Sequence, residues 1–207
     1  MTILTAATRP TPRPAQRAWL EIGLIVVGLG AVVVARAAAT RAGFDALAVG
    51  AGFGAALLGL SVASGSRIEL GERRAAGALV GVGAGLALVG FVLAGAWLGG
   101  ASSISGLARP ASPFLPWASI TIVVAVGEEV LLRGLLFDRL RRAGGTPLAL
   151  LATTVLFALL HVPMYGWHVV PLDVAVGLAL GGLRVATRGI VAPSVAHVVA
   201  DLATWWL

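Results

Sequence analysis

An all-α, polytopic transmembrane bundle of about seven helices is what this sequence predicts, because apolar runs of about 20 residues, the length that spans a bilayer, recur along it. Composition agrees: of 207 residues, 58% are hydrophobic and 12% charged, and mean hydropathy is +0.97. A soluble domain of this length carries about twice that charge. The strand-like alternation of a transmembrane barrel is missing.

The elements follow in order. Met1–Arg17 is polar, proline-bearing and basic, and reads as a disordered cytoplasmic tail. The first apolar run, Ala18–Val34, leads into Ala37-Ala38-Ala39, which admits a signal peptide with an Ala-x-Ala cleavage site. The run is longer than the signal-core norm of about 7–15 residues. It also holds Glu21 and is followed by Arg36, so an uncleaved anchor is expected. Further crossings are expected at Phe44–Ser64, Ala76–Leu98, Pro116–Phe137, Pro147–His161, Val169–Ala186 and Gly189–Leu207. The chain thus divides into the tail (1–17), N-terminal transmembrane helices (18–114) and a core carrying the chemistry (115–207).

Charge sets the orientation. The net charge of +6 is all arginine, with no lysine. A cytoplasmic N-terminus puts Arg67, Arg73, Arg74, Arg139, Arg141, Arg142, Arg184 and Arg188 inside, and leaves Arg36, Arg41 and Arg109 outside. Trp19 then falls at the inner edge, and Trp97, Trp117, Trp167, Trp205 and Trp206 near outer edges, where amphipathic rings prefer to sit. The C-terminus is expected to be extracytoplasmic. With the arginines spent on loops, no basic face remains for nucleic acid. The lack of cysteine excludes disulfides, thiolate ligands and a cysteine nucleophile.

Gly50/Gly54, Gly81/Gly85 and Gly177/Gly181 have the four-residue spacing that lets transmembrane backbones approach. They read as packing surface, with dimerisation a further option. Gly81-Val-Gly83-Ala-Gly85 is no nucleotide loop, since neither a preceding strand nor a lysine accompanies it.

Charge within the apolar runs asks for a functional reason. Glu129 and Arg133 stand four apart, acid first, which favours an ion pair on one helical face. Glu128 is turned about 100° away and is expected to face elsewhere, a carboxyl in a partly dry cavity suited to general acid–base work. Phe157/His161 and His197/Asp201 are also four apart, so each pair lies along one face. By helical rise, Glu128 lies about 18 Å from the outer edge and His197 about 12 Å from the inner, so the two meet within the bilayer. His161 comes out about 9 Å higher. His168 and Asp173 read as solvated near an outer loop, and Glu21 and Asp45 as helix-end residues that snorkel.

Glu128-Glu129-Val-Leu-Leu-Arg133, Phe157-Ala-Leu-Leu-His161 and His197-Val-Val-Ala-Asp201, in this order, resemble the motif set of the CPBP intramembrane proteases, which include the CAAX prenyl endopeptidases and the bacterial Abi proteins. The resemblance covers about Pro116–Asp201 and implies an all-helical core, a cytoplasm-facing cavity and hydrolysis of a membrane-associated peptide or protein. On this chain it implies that Glu128 activates water, that His161 assists or binds metal, and that His197 with Asp201 holds the oxyanion or completes a metal site. Asp201 stands where many members have asparagine. An ionised aspartate donates no hydrogen bond, which favours a ligand role. Zinc on His161, His197 and Asp201 is therefore one expectation, and metal-free activation by Glu128 and His161 the other. A non-enzymatic immunity or binding protein on the same fold and a proton-coupled carrier are the rival readings. The arginine- and alanine-rich, lysine-free composition suits the plasma membrane of a GC-rich bacterium.

Overall fold

The computed structural model describes residues 14–65, 69–71, 73–98 and 112–206. Most of the expected tail, together with Arg67 and Arg109, lies outside them; Pro14–Arg17 form the first turn of a helix instead. The helices are α1 (Pro14–Arg41), α2 (Ala46–Ala63), α3 (Arg74–Leu98), α4 (Phe114–Glu129), α5 (Phe137–Tyr165), α6 (Val170–Thr187) and α7 (Val191–Ala203). A wide π-helical segment, Val130–Leu136, joins α4 to α5, and a 3-10 turn, Trp167–Val169, precedes α6. Among the described residues there is no strand.

Among the described residues, five helical stretches are long and apolar enough to span a bilayer. One of them, Phe114–Tyr165, has 52 residues, about 78 Å if straight and more than twice a hydrocarbon core. It breaks at Gly144–Gly145, where Gly145 has φ 83°, open to glycine at little cost. Pro147, in the first turn after the break, loses no hydrogen bond that a helix start would have made. The expected crossings 116–137 and 147–161 are the two arms of this stretch. Gly189–Leu207 differs from expectation: α7 has 13 residues, about 20 Å, which falls short of a full crossing.

The glycine pairs are where helices touch. A Cβ on Gly50 would lie 2.7 Å from Ile120, and one on Gly54 2.9 Å from Val123, so α2 packs backbone-close on α4. Cβ atoms on Gly81 and Gly85 would lie 2.6 and 2.8 Å from the carbonyl oxygens of Ala192 and Ala196, seating α7 on α3. Gly177 meets Thr154 and Gly181 meets Leu150 across α5 and α6. In lipid such close contact replaces the hydrophobic drive that water would provide. These surfaces are thus occupied within the chain, which withdraws the spacing as an argument for dimerisation.

Asp45, read as a helix-end residue that snorkels, instead caps α2 by accepting from the Ala48 amide at 2.8 Å. Glu21 is ion-paired with Arg139, whose guanidinium also donates to the Ser64 carbonyl. The core, with Leu57, Leu131, Leu132, Leu136, Phe137, Phe157 and Leu180, sits where α2, the π segment, α5 and α6 meet.

Candidate active site

The two adjacent carboxylates end α4, directly before the π segment. A π turn leaves carbonyls without their usual partners and is frequent at functional sites. Here the Arg133 carbonyl accepts from Arg184 Nε at 2.9 Å. Arg184 Nη2 also binds Asp138 at 2.9 Å and Glu69 at 2.8 Å. Arg184, expected as a loop charge, is therefore a buried latch on the helix that carries the acids.

Glu129 and Arg133 form the expected ion pair at 2.8 Å, both fully buried. Arg133 also donates to the Gly177 carbonyl at 3.2 Å and lies over the Phe157 ring at 4.6 Å. Glu128 departs from expectation, because it does not face away from its neighbour's site. His197 reaches both acids, with Nδ1 3.0 Å from Glu129 Oε1 and Nε2 3.8 Å from Glu128 Oε2. The opposite edges of one ring make this possible where two carboxylates a helical step apart could not share a single atom. Asp201 Oδ2 stands 3.6 Å from the same Nε2, one turn along α7. His197 and Glu128 are 3% and 2% exposed.

His161 is one turn nearer the helix end. Its Nδ1 is 3.0 Å from the Phe157 carbonyl, and its ring meets Phe157 edge-on at 4.9 Å between centroids. Phe157 also meets His197 edge-on at 5.4 Å, so the phenyl group fills the step in depth between the imidazoles. Among the described residues His161 makes no hydrogen bond to Glu128. It interacts electrostatically with His197 and Asp201.

Sequence reasoning missed three neighbours. Asp173, expected to be solvated, has Oδ2 3.5 Å from His161 Nδ1 and buried without a hydrogen bond. Tyr165 stacks on His161 at 5.9 Å. Arg36 lies over Phe53 at 4.3 Å and interacts with Glu128. The available signal was spacing, since Tyr165 follows His161 by one turn; Asp173 and Arg36 enter only through tertiary packing.

A catalytic zinc takes three protein ligands and leaves one open position. Among the described residues no group of three His, Asp or Glu side chains is placed to hold a metal ion. His197 gives Nδ1 to Glu129 and His161 gives Nδ1 to a carbonyl, which leaves each Nε2 free, as in a metal-bound imidazole. What keeps His161, His197 and Asp201 from forming a zinc set as arranged is that the three are not gathered about one point.

No curated protein and no solved structure matches the chain. A family model does: residues 110–203 match the one described as Type II CAAX prenyl endopeptidase Rce1-like. All three motifs fall inside that match. A CPBP-related CAAX protease family domain thus occupies residues 110–203 of this polytopic helical membrane protein.

Proposed function

We propose that the protein is an intramembrane endopeptidase of a bacterial plasma membrane, N-terminus cytoplasmic, acting on a membrane-associated peptide or protein. The observation that carries this reading is the convergence of Glu128 and Asp201 on His197, with His161 on the same Phe157 ring as His197, inside the domain matched. Spacings of 3.6–3.8 Å at His197 Nε2 are too long for direct hydrogen bonds and suit groups that share solvent or a substrate atom.

In this reading Glu128 takes a proton from water as the water oxygen bonds to the scissile carbonyl carbon. His161 Nε2, free because Nδ1 serves the Phe157 carbonyl, accepts from the same water and aims it. The oxyanion receives a hydrogen bond from His197 Nε2–H, the ring being held at Nδ1 by Glu129 and flanked by Asp201. When the C–N bond breaks, Glu128 returns the proton to the leaving amine. No step needs a metal. Zinc, one of the two expectations the family resemblance raised, would instead require the Nε2 atoms of His161 and His197 to gather with a carboxylate about one point, their Nδ1 partners unchanged.

Comparative proteomics of membranes from cells with wild-type or Glu128→Gln protein tests this reading. The expected result is a polypeptide that stays uncleaved in the variant; the same fragments in both would remove the hydrolytic role. Purified protein stripped by chelator should keep its turnover. Loss restored by zinc alone would reassign His161 and His197 as ligands.

A further inference from the structure

The chemistry sits at one end of the bundle and the arginines at the other. At the first end, Arg41 of α1 reaches the Pro163 carbonyl of α5 at 3.5 Å, and His161 of α5 faces Asp173 of α6. There too Phe114 and Trp117 of α4 pack on Trp205, beyond α7, at 5.3 and 5.0 Å. At the second end, Arg139 ties the start of α5 to Glu21 of α1 and to Ser64 after α2. Arg184 ties the end of α6 to Glu69 and Asp138, and the Ile190 amide donates to the Glu69 carbonyl at 3.0 Å.

From Glu128 the polar side chains toward the first end reach the surface, whereas Glu129, Arg133 and Arg184 toward the second are buried and engaged with partners. Asp201, with its side chain 39% exposed, stands two residues before the end of α7, and Tyr165, 49% exposed, ends α5. Toward the second end, Leu131, Leu132 and Leu136 are fully buried, and below them Arg184 ties the Arg133 carbonyl to Asp138 and Glu69. The first end is therefore the side on which the polar side chains around the acids meet the surface.

The second end carries Arg73 and Arg74 before and at the start of α3, Arg141 and Arg142 in α5, and Arg188 after α6. The first end has Arg36 and Arg41, with a cluster of Trp117, Trp205 and Trp206 about Phe114. Arginine-rich short loops stay in the cytoplasm. From these placements we infer that the cleft opens on the extracytoplasmic face, opposite to the cytoplasmic opening that the family resemblance implied. Its substrate class is then a translocated polypeptide, cut in the stretch just outside a membrane anchor or signal segment. The substrate assignment rests on the endopeptidase reading; the sidedness does not.

The chain lacks cysteine, so single-cysteine variants report topology directly. Trp167→Cys marks the cleft end and Arg142→Cys the arginine end; both side chains are exposed and neither belongs to the proposed machinery. Each full-length variant is treated in intact spheroplasts with a membrane-impermeant maleimide, and labelling is expressed relative to that of the denatured, solubilised protein. Trp167→Cys should label as fully in intact cells as when solubilised, and Arg142→Cys only after lysis. The reverse pattern, or similar labelling of both before lysis, overturns the inference. Labelling does not depend on turnover. The expected labelling with no Glu128-dependent cleavage removes the protease reading and its substrate while leaving the sidedness. Inverted labelling with Glu128-dependent cleavage does the opposite.

Discussion

At the scale of single residues, Glu129 holds two positions at once. It neutralises Arg133 and fixes the far edge of His197, both within hydrogen-bond distance. Glu129→Gln leaves a buried guanidinium without its counter-charge, an expected loss of about 3–5 kcal/mol. Thermal unfolding in detergent should therefore fall well below that of Glu128→Gln, which breaks no ion pair with Arg133. Glu128→Gln and His161→Ala should remain folded yet lose cleavage, by about 10²–10⁴-fold if each supplies acid–base help. Asp173, with Oδ2 3.5 Å from His161 Nδ1, is placed to act through that imidazole as a positioning residue. Asp173→Asn should lower kcat less than His161→Ala does and leave KM unchanged, whereas a merely structural role would lower the unfolding temperature with no specific effect on kcat. The acids and imidazoles were legible because charge inside an apolar run stands out against its surroundings. Asp173 was not, because a carboxylate near a helix start looks the same in sequence whether it meets water or another helix.

At the scale of elements, the three glycine pairs decide which helices touch, and their spacing was readable before any partner was. The partners were not readable, since four-residue spacing names a face and not what covers it. Gly85→Val sets a side chain against the α7 backbone, where a Cβ would already be 2.8 Å from the Ala196 carbonyl oxygen. Overpacking of this kind costs about 1–3 kcal/mol. It should also displace His197 and lower activity beyond the loss of stability. Gly83→Ala, on the same helix with nothing within 4 Å, is the control and should be neutral or slightly stabilising in a thermal melt. The π segment left no trace in the sequence, because a single wide turn barely disturbs a 3.6-residue pattern in which nearly every position is apolar. The latch role of Arg184 was unreadable for a related reason: besides Asp138 and Glu69 it binds a main-chain oxygen inside that wide turn.

For the molecule as a whole, hydropathy alone was enough to foretell an all-helical membrane bundle, since no other class places this much apolar surface in runs of bilayer length. The length of the last span was misjudged. Apolar residues continue past Ala203, yet the chain leaves the helix there for turns in which tryptophans pack on Phe114. With 13 residues, α7 covers about 20 Å of a hydrocarbon layer of about 30 Å. Lipids beside it must compress to meet it, so the bilayer dimples beside His197, and in the proposed endopeptidase a polypeptide headed for cleavage need descend only part way into oil. On the proposed reading, thickness then becomes a control on cleavage: turnover should be faster in dimyristoyl than in dierucoyl phosphatidylcholine vesicles, and equal rates in the two would mean that the short helix leaves the surrounding lipid undisturbed.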